Sequence, residues 1–70
     1  MANIEATEDE LILEVLRRRP GQPTYVVANS IGCRGQTARI RRRLRRLEAQ
    51  HLVRSGADIY ATSMICWWAR

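Results

Sequence analysis

Apolar residues recur at Leu11, Ile12, Val15 and Leu16, the i, i+1, i+4, i+5 spacing of one helix face. Ahead of them, Thr7-Glu8-Asp9-Glu10 reads as a capping box: a hydroxyl for the first free amides, and a Glu three residues on to reach back. Three acids suit the positive end of a helix dipole and Arg17-Arg18-Arg19 suit its negative end, before Pro20-Gly21 stops the run. The pattern predicts a first helix over about residues 8–19. Gln22-Pro23 reads as a short turn and Thr24 as a second N-cap. Val27, Ala28 and Ile31 then make a small apolar face that ends at Gly32, which predicts a second helix over about 24–31. Cys33-Arg34-Gly35 reads as a tight turn.

The third helix opens at Gly35 or Gln36. Ile40, Leu44, Leu47 and His51 follow at steps of 4, 3 and 4 and share one face, with Thr37 one turn earlier. At about 100° per residue, Arg42 projects almost opposite that stripe. Ala38 and Arg45 lie to one side of Arg42, Arg39 and Arg46 lie to the other, and Arg41 and Arg43 flank the stripe. Beyond it, Leu52-Val53-Arg54 and Ile59-Tyr60-Ala61 are β-prone triplets around Ser55-Gly56-Ala57-Asp58, which predicts a hairpin. The apolar tail, Thr62 to Arg70, reads either as a short helix capped by Thr62 or as a continuation of the last strand.

Charge changes this picture more than composition does. The chain has 70 residues, 46% of them hydrophobic and 27% charged, which is the composition of one small globular domain. Its five N-terminal acids all precede residue 17, and residues 17–54 then carry eleven arginines against Glu48 alone. The strongly basic middle points to a polyanionic partner, because ordinary solvated faces mix signs and residues 34–46 hold no acid. Cys33 and Cys66 lie 33 apart with a single histidine, His51, so no clustered metal ligands are expected. Two thiols buried in a reducing compartment are expected instead of a disulfide. No Gly-rich phosphate loop, nucleophile elbow or paired catalytic carboxylates can be assembled, so neither an enzyme nor a cofactor is expected. No apolar run approaches the roughly 18 residues of a membrane span, and Met1 to Glu5 show no secretory pattern. The expectation is a soluble cytoplasmic protein, nucleoid-associated in a prokaryote, with no membrane and no small-molecule substrate.

The order helix, short helix, tight turn, basic helix, hairpin resembles the winged helix-turn-helix family of transcriptional regulators. Thr24-Tyr25-Val26-Val27-Ala28-Asn29-Ser30-Ile31-Gly32 is similar to the family's T-x-x-x-A-x-x-x-G second helix. Leu44-Arg45-Arg46-Leu47-Glu48-Ala49-Gln50-His51-Leu52-Val53 is similar to its L-x-x-L-E-x-x-G-L-V run into the wing. The resemblance covers about residues 8–61 and departs from the family at two places. Ile40 falls eight residues after Gly32, where the family has its first core residue about six after the glycine, which leaves the register of the basic helix open by half a turn. His51 also stands where the family has glycine, so strain of up to about 1 kcal/mol is expected there.

The resemblance implies a mainly α fold with a small β-hairpin (α+β), a three-helix winged domain with its core over about 7–61. It implies a repressor-like regulator that binds double-stranded DNA, with the third helix in the major groove. Gln36, Thr37, Ala38, Arg39, Arg41 and Arg42 are then candidates for base edges, and Arg34, Arg45, Arg46 and Arg54 for phosphates. An architectural or excisionase-like DNA-binding factor is the nearest alternative. A winged domain reading left-handed DNA or double-stranded RNA by shape is disfavoured, since the Asn, Tyr and Pro-Pro-x-Trp motif of that type are missing. The tail supports a further expectation: two adjacent tryptophans cannot easily face one core, so Met64, Ile65, Trp67 and Trp68 are expected to include a homodimer contact. The same surface would serve a protein-interaction module as the remaining alternative.

Overall fold

The Thr7 hydroxyl accepts from the Glu10 N–H at 3.2 Å, and the Glu10 carboxylate accepts from the Thr7 N–H at 3.2 Å. This reciprocal capping box starts α1, Glu8–Arg18. The computed structural model describes residues 7–57 and 64–70. After α1 come β1 (Gln22–Pro23), α2 (Thr24–Ser30), α3 (Thr37–Ala49), β2 (Val53–Ala57) and β3 (Ile65–Ala69). The strands form one antiparallel sheet in the order β1-β3-β2. No helix among the described residues is long and apolar enough to cross a membrane.

The helices meet along most of their predicted apolar stripes; on α1 the buried face narrows to Ile12 and Leu16, and Leu11 is exposed. Ile12 and Leu16 of α1, Val27 and Ala28 of α2, and Ile40, Leu44 and Leu47 of α3 form one buried cluster, closed on the sheet side by Val53 and Trp67. Both α2 and α3 end in a Schellman motif. Gly32, at φ 80°, donates to the Asn29 carbonyl while Cys33 donates to Ala28; His51, at φ 62°, donates to Glu48 while Leu52 donates to Leu47. The left-handed histidine is therefore present, but it lies beyond α3 and is exposed, so it does not extend the buried face of Ile40, Leu44 and Leu47 as its spacing predicts. Its Cβ costs something that glycine would not. His51→Gly is expected to stabilise by up to about 1 kcal/mol, raising Tm by roughly 4–8 °C per kcal/mol in a domain of this size. A fall in Tm on a thermal melt would show that the imidazole contributes a favourable interaction.

The turn after α2 runs as predicted, with Gln36 N–H donating to the Cys33 carbonyl at 3.0 Å and Gly35 at φ 83°. This four-residue turn absorbs the extra spacing between Gly32 and Ile40, and α3 begins at Thr37.

Three expectations are corrected. Thr24 is not an N-cap: Pro23 occupies that position, and Thr24 is the first residue of α2, 5% exposed. Its hydroxyl instead accepts from the Trp67 indole N–H at 2.8 Å, so a buried donor decides its role. Gln22-Pro23 is not a free turn but a two-residue strand, registered Gln22 opposite Trp67 and Pro23 opposite Cys66. The hairpin is displaced: Ser55, Gly56 and Ala57 continue β2 rather than turn, and its partner is the tail segment Ile65–Ala69. The expected strand Ile59-Tyr60-Ala61 and the cap Thr62 lie outside the described residues. Of the two readings of the tail, the extended one holds.

Glycine sits inside β2 because of Trp68. Side chains alternate across a strand, so Trp67 enters the core while Trp68 lies on the opposite face. A Cβ on Gly56 would stand 3.1 Å from the Trp68 ring, and one on Gly21 3.2 Å from its Nε1. Both glycines make room for this indole. Gly21 also holds φ 78° and donates to the Trp67 carbonyl, which fastens the end of α1 to the sheet.

Candidate nucleic-acid interface

The buried stripe of Ile40, Leu44 and Leu47 turns the rest of α3 outward and divides its arginines into three groups. Arg39 and Arg43 lie on the flank facing α1. Arg39 Nη1 and Nη2 donate to the two Glu8 oxygens at 2.7 and 2.9 Å, and its Nε donates to Gln36 Oε1 at 2.8 Å. Arg43 Nε stands 2.6 Å from Glu8 Oε1, and its Nη1 donates to Asp9 Oδ1 at 3.2 Å. The Arg39 hydrogen bonds, reinforced by the charges of Arg39 and Arg43 and opposed by burial, hold the Glu8 carboxyl below the usual carboxylate range. Cys33 packs into this cluster, its sulfur 3.4 Å from Arg39 Nη2.

The opposite flank faces the wing. Arg45 Nη1 donates to Glu48 Oε1 at 3.1 Å, and its guanidinium stands over the Trp67 ring, 5.2 Å from the centroid. The second Glu48 oxygen accepts from the Ser55 N–H at 3.1 Å and the Ser55 hydroxyl at 2.5 Å. These bonds, the Ser55 hydroxyl foremost, lower the Glu48 pKa against the opposing effect of burial. On β2, the Arg54 guanidinium stands over the Trp68 ring, 4.4 Å from its centroid, so the indole that fills the two glycine gaps also holds a wing arginine.

The third group is the outward ridge. Arg41, Arg42 and Arg46 are exposed and make no ion pair among the described residues, and Ala38 lies beside them. Arg34 is likewise exposed, in the turn that leads into α3. Thr37 and Arg41 form one wall of an open cleft of about 430 Å³, shared with Tyr25 at the start of α2 and with Met64 and Ile65.

The expected site residues therefore do not behave alike. Arg34, Arg41, Arg42 and Arg46 are exposed and make no ion pair among the described residues; Arg45 and Arg54 are exposed but held; Arg39 and the carbonyl of Gln36 are engaged inside the fold. Glu8, Asp9, Glu48 and Ser55 organise the surface and are not among the expected site residues; for Glu8 and Asp9, separations of 31 and 34 residues leave no local spacing to read. Glu8 and Asp9 already had a sufficient local explanation as acids in the first turn of α1.

The expected dimer surface is also redistributed. Trp67 is 0% exposed and belongs to the core of its own chain, and Trp68 is half-buried. Of the four tail residues, Met64 is half-buried and Ile65 is 36% exposed. Cys33 is half-buried and Cys66 buried, both as thiols.

No protein-family model matches the sequence, and no curated protein is detectably similar to it. Solved structures share the fold. The PcaV transcriptional regulator of Streptomyces coelicolor, solved in complex with its natural ligand, superposes with TM-score 0.82 at 16% identity, over 99% of this chain and 48% of that one. ZitR of Lactococcus lactis, a zinc-responsive MarR family member, superposes with TM-score 0.77 at 20% identity, over 99% of this chain and 46% of that one. A second ZitR structure gives 0.80 at 18% identity, over 100% and 47%. The chain spans about half the length of these regulators. Its fold is the winged helix-turn-helix, an α+β arrangement of three helices and a small antiparallel sheet.

Proposed function

We propose that this winged helix-turn-helix chain is a sequence-specific double-stranded DNA-binding protein, a small repressor-like regulator that lays α3 in the major groove. The observation that carries the reading is the outward ridge of α3. Arg41, Arg42 and Arg46 project from a helix whose other sides are closed by the core, by α1 and by the wing. A guanidinium meets guanine O6 and N7 with two parallel N–H donors, and the same fork grips phosphate. Arg42, opposite the buried stripe, is the residue assigned to a base edge. Arg34 and Arg46 are assigned to phosphates on either side, and Arg54 to a phosphate beside the wing.

Titration of labelled random-sequence duplexes at two salt concentrations tests this directly. Binding that weakens steeply with salt is expected, and selection from the pool then yields the preferred site. On that site Arg42→Ala is expected to cost about 1–3 kcal/mol and to relax one base position. A loss of equal size on every sequence would assign Arg42 to phosphate, and no binding at low salt would refute the DNA reading. The protein-interaction alternative has less to stand on, because one tail indole is enclosed in the core and the other is packed between glycines.

A further inference from the structure

Along the sequence the acids of α1 and the arginines of α3 are far apart, yet folding sets two of each against one another. Arg39 has all three guanidinium nitrogens engaged, by Gln36 and by both oxygens of Glu8. Arg43 is bridged to Glu8 by Nε and to Asp9 by Nη1. A bidentate guanidinium–carboxylate pair between two helices is a directed contact, unlike a pair of mobile surface charges. Arg39 and Arg43 stand one turn apart on the flank facing α1, whereas Arg46, on the outward ridge, makes no ion pair among the described residues.

We propose that Glu8 and Asp9 are positioning residues that set specificity: they hold Arg39 and Arg43 against α1 and so keep two of α3's arginines off the duplex. The inference rests on the DNA-binding reading above and identifies which cations that surface withholds. Its consequence is quantitative. Each arginine that meets phosphate adds affinity for every sequence alike, and steepens the dependence of log K on log salt by about 0.9. Removing two arginines from that tally lowers non-specific binding while leaving the base-reading ridge intact, which raises the ratio of specific to non-specific affinity. An arginine-rich helix with every guanidinium released would grip any duplex. The two acids take Arg39 and Arg43 out of the contact and leave the ridge of Arg41, Arg42 and Arg46 to make it, with Arg34 in the preceding turn.

The experiment measures the salt slope of the intact chain on random-sequence duplex, for the wild type, for E8Q/D9N and for R39Q/R43Q. R39Q/R43Q is expected to keep the wild-type slope, and E8Q/D9N to steepen it by up to about 1.8 as two guanidiniums are released. A slope for R39Q/R43Q shallower by about 0.9 or more, or an unchanged slope for a folded E8Q/D9N, would overturn the proposal. Wild-type chain that shows no salt-dependent binding would instead overturn the DNA reading itself, and this inference with it. Since both double variants cut a tie between helices, arginine Nε–H NMR spectra of the wild type, titrated with duplex, supply a test that needs no substitution. The Arg42 and Arg46 signals are expected to move and those of Arg39 and Arg43 to stay; movement of all four to the same extent would refute the withholding role.

Discussion

Trp67→Ala is expected to leave the chain largely unfolded at room temperature. The indole is 0% exposed and is the largest fully buried side chain among the described residues. It joins the sheet to the cluster formed by α1, α2 and α3, which small residues cannot refill. Truncating a buried Trp to Ala costs about 3–5 kcal/mol. A domain of this length holds only roughly 3.5–10 kcal/mol in all, so the loss is of the order of the total. A second cost is chemical: the Nε1–H donates to the Thr24 hydroxyl at 2.8 Å, and its removal leaves that buried hydroxyl without its partner. Trp67→Phe separates the two contributions, since it keeps most of the apolar volume and loses the donor, and it is expected to fold with a reduced Tm. Trp68→Ala is expected to cost clearly less, because Trp68 is half-buried and rests on the outer face of the sheet. Thermal melts followed by circular dichroism give the order. If Trp68→Ala proved as damaging as Trp67→Ala, the two indoles would not occupy the inner and outer faces as described.

The contrast between these tryptophans also marks what the sequence makes legible. Periodicity is local, so the helices and their buried faces (Ile12 and Leu16, Val27 and Ala28, Ile40 with Leu44 and Leu47) could be read from spacing alone. Capping is local too, which is why the box at Thr7 and the turn at Gly35 were predictable, while the left-handed His51 followed from the family resemblance. Thr24 shows where this ends. A threonine ahead of an apolar face has the chemistry of a cap, but its hydroxyl is taken by a donor 43 residues away. The displaced hairpin has the same cause. Ser55-Gly56-Ala57 has the composition of a turn, yet Gly56 is needed inside a strand because Trp68 crosses over it. The arginine-rich surface of α3 is legible as a set, but which of its arginines are engaged inside the fold is not. Helical spacing places Arg39 and Arg42 on outer faces of α3, and only the docking of α1 shows that Arg39 is occupied and Arg42 is not.

Glu48 is the acid on which the wing depends, and Glu48→Ala is expected to destabilise the chain by about 1–2 kcal/mol at neutral pH. One carboxylate accepts from the Ser55 N–H, the Ser55 hydroxyl and Arg45, tying the last turns of α3 to β2. β2 lies at an edge of the sheet, so the Ser55 N–H given to Glu48 is one the strand ladder does not use. The side chain is one-third exposed, and water reaching the vacated site keeps the cost in the lower part of the range for a buried partner. The sign of its pH dependence follows from the lowered pKa. A carboxyl whose pKa is lower folded than unfolded contributes its full stability above the unfolded value, about 4.3 for Glu. That contribution is lost as pH falls from there through the folded value. The wild type should therefore lose stability in acid through Glu48 and also through Glu8, whose pKa is lowered by Arg39. Glu8 titrates equally in both proteins, so the difference between wild type and Glu48→Ala isolates Glu48. Urea melts at pH 7 and at successively lower pH are expected to show that difference narrowing below about pH 4.3. A difference that stayed constant would mean that Glu48 contributes by packing and not by charge.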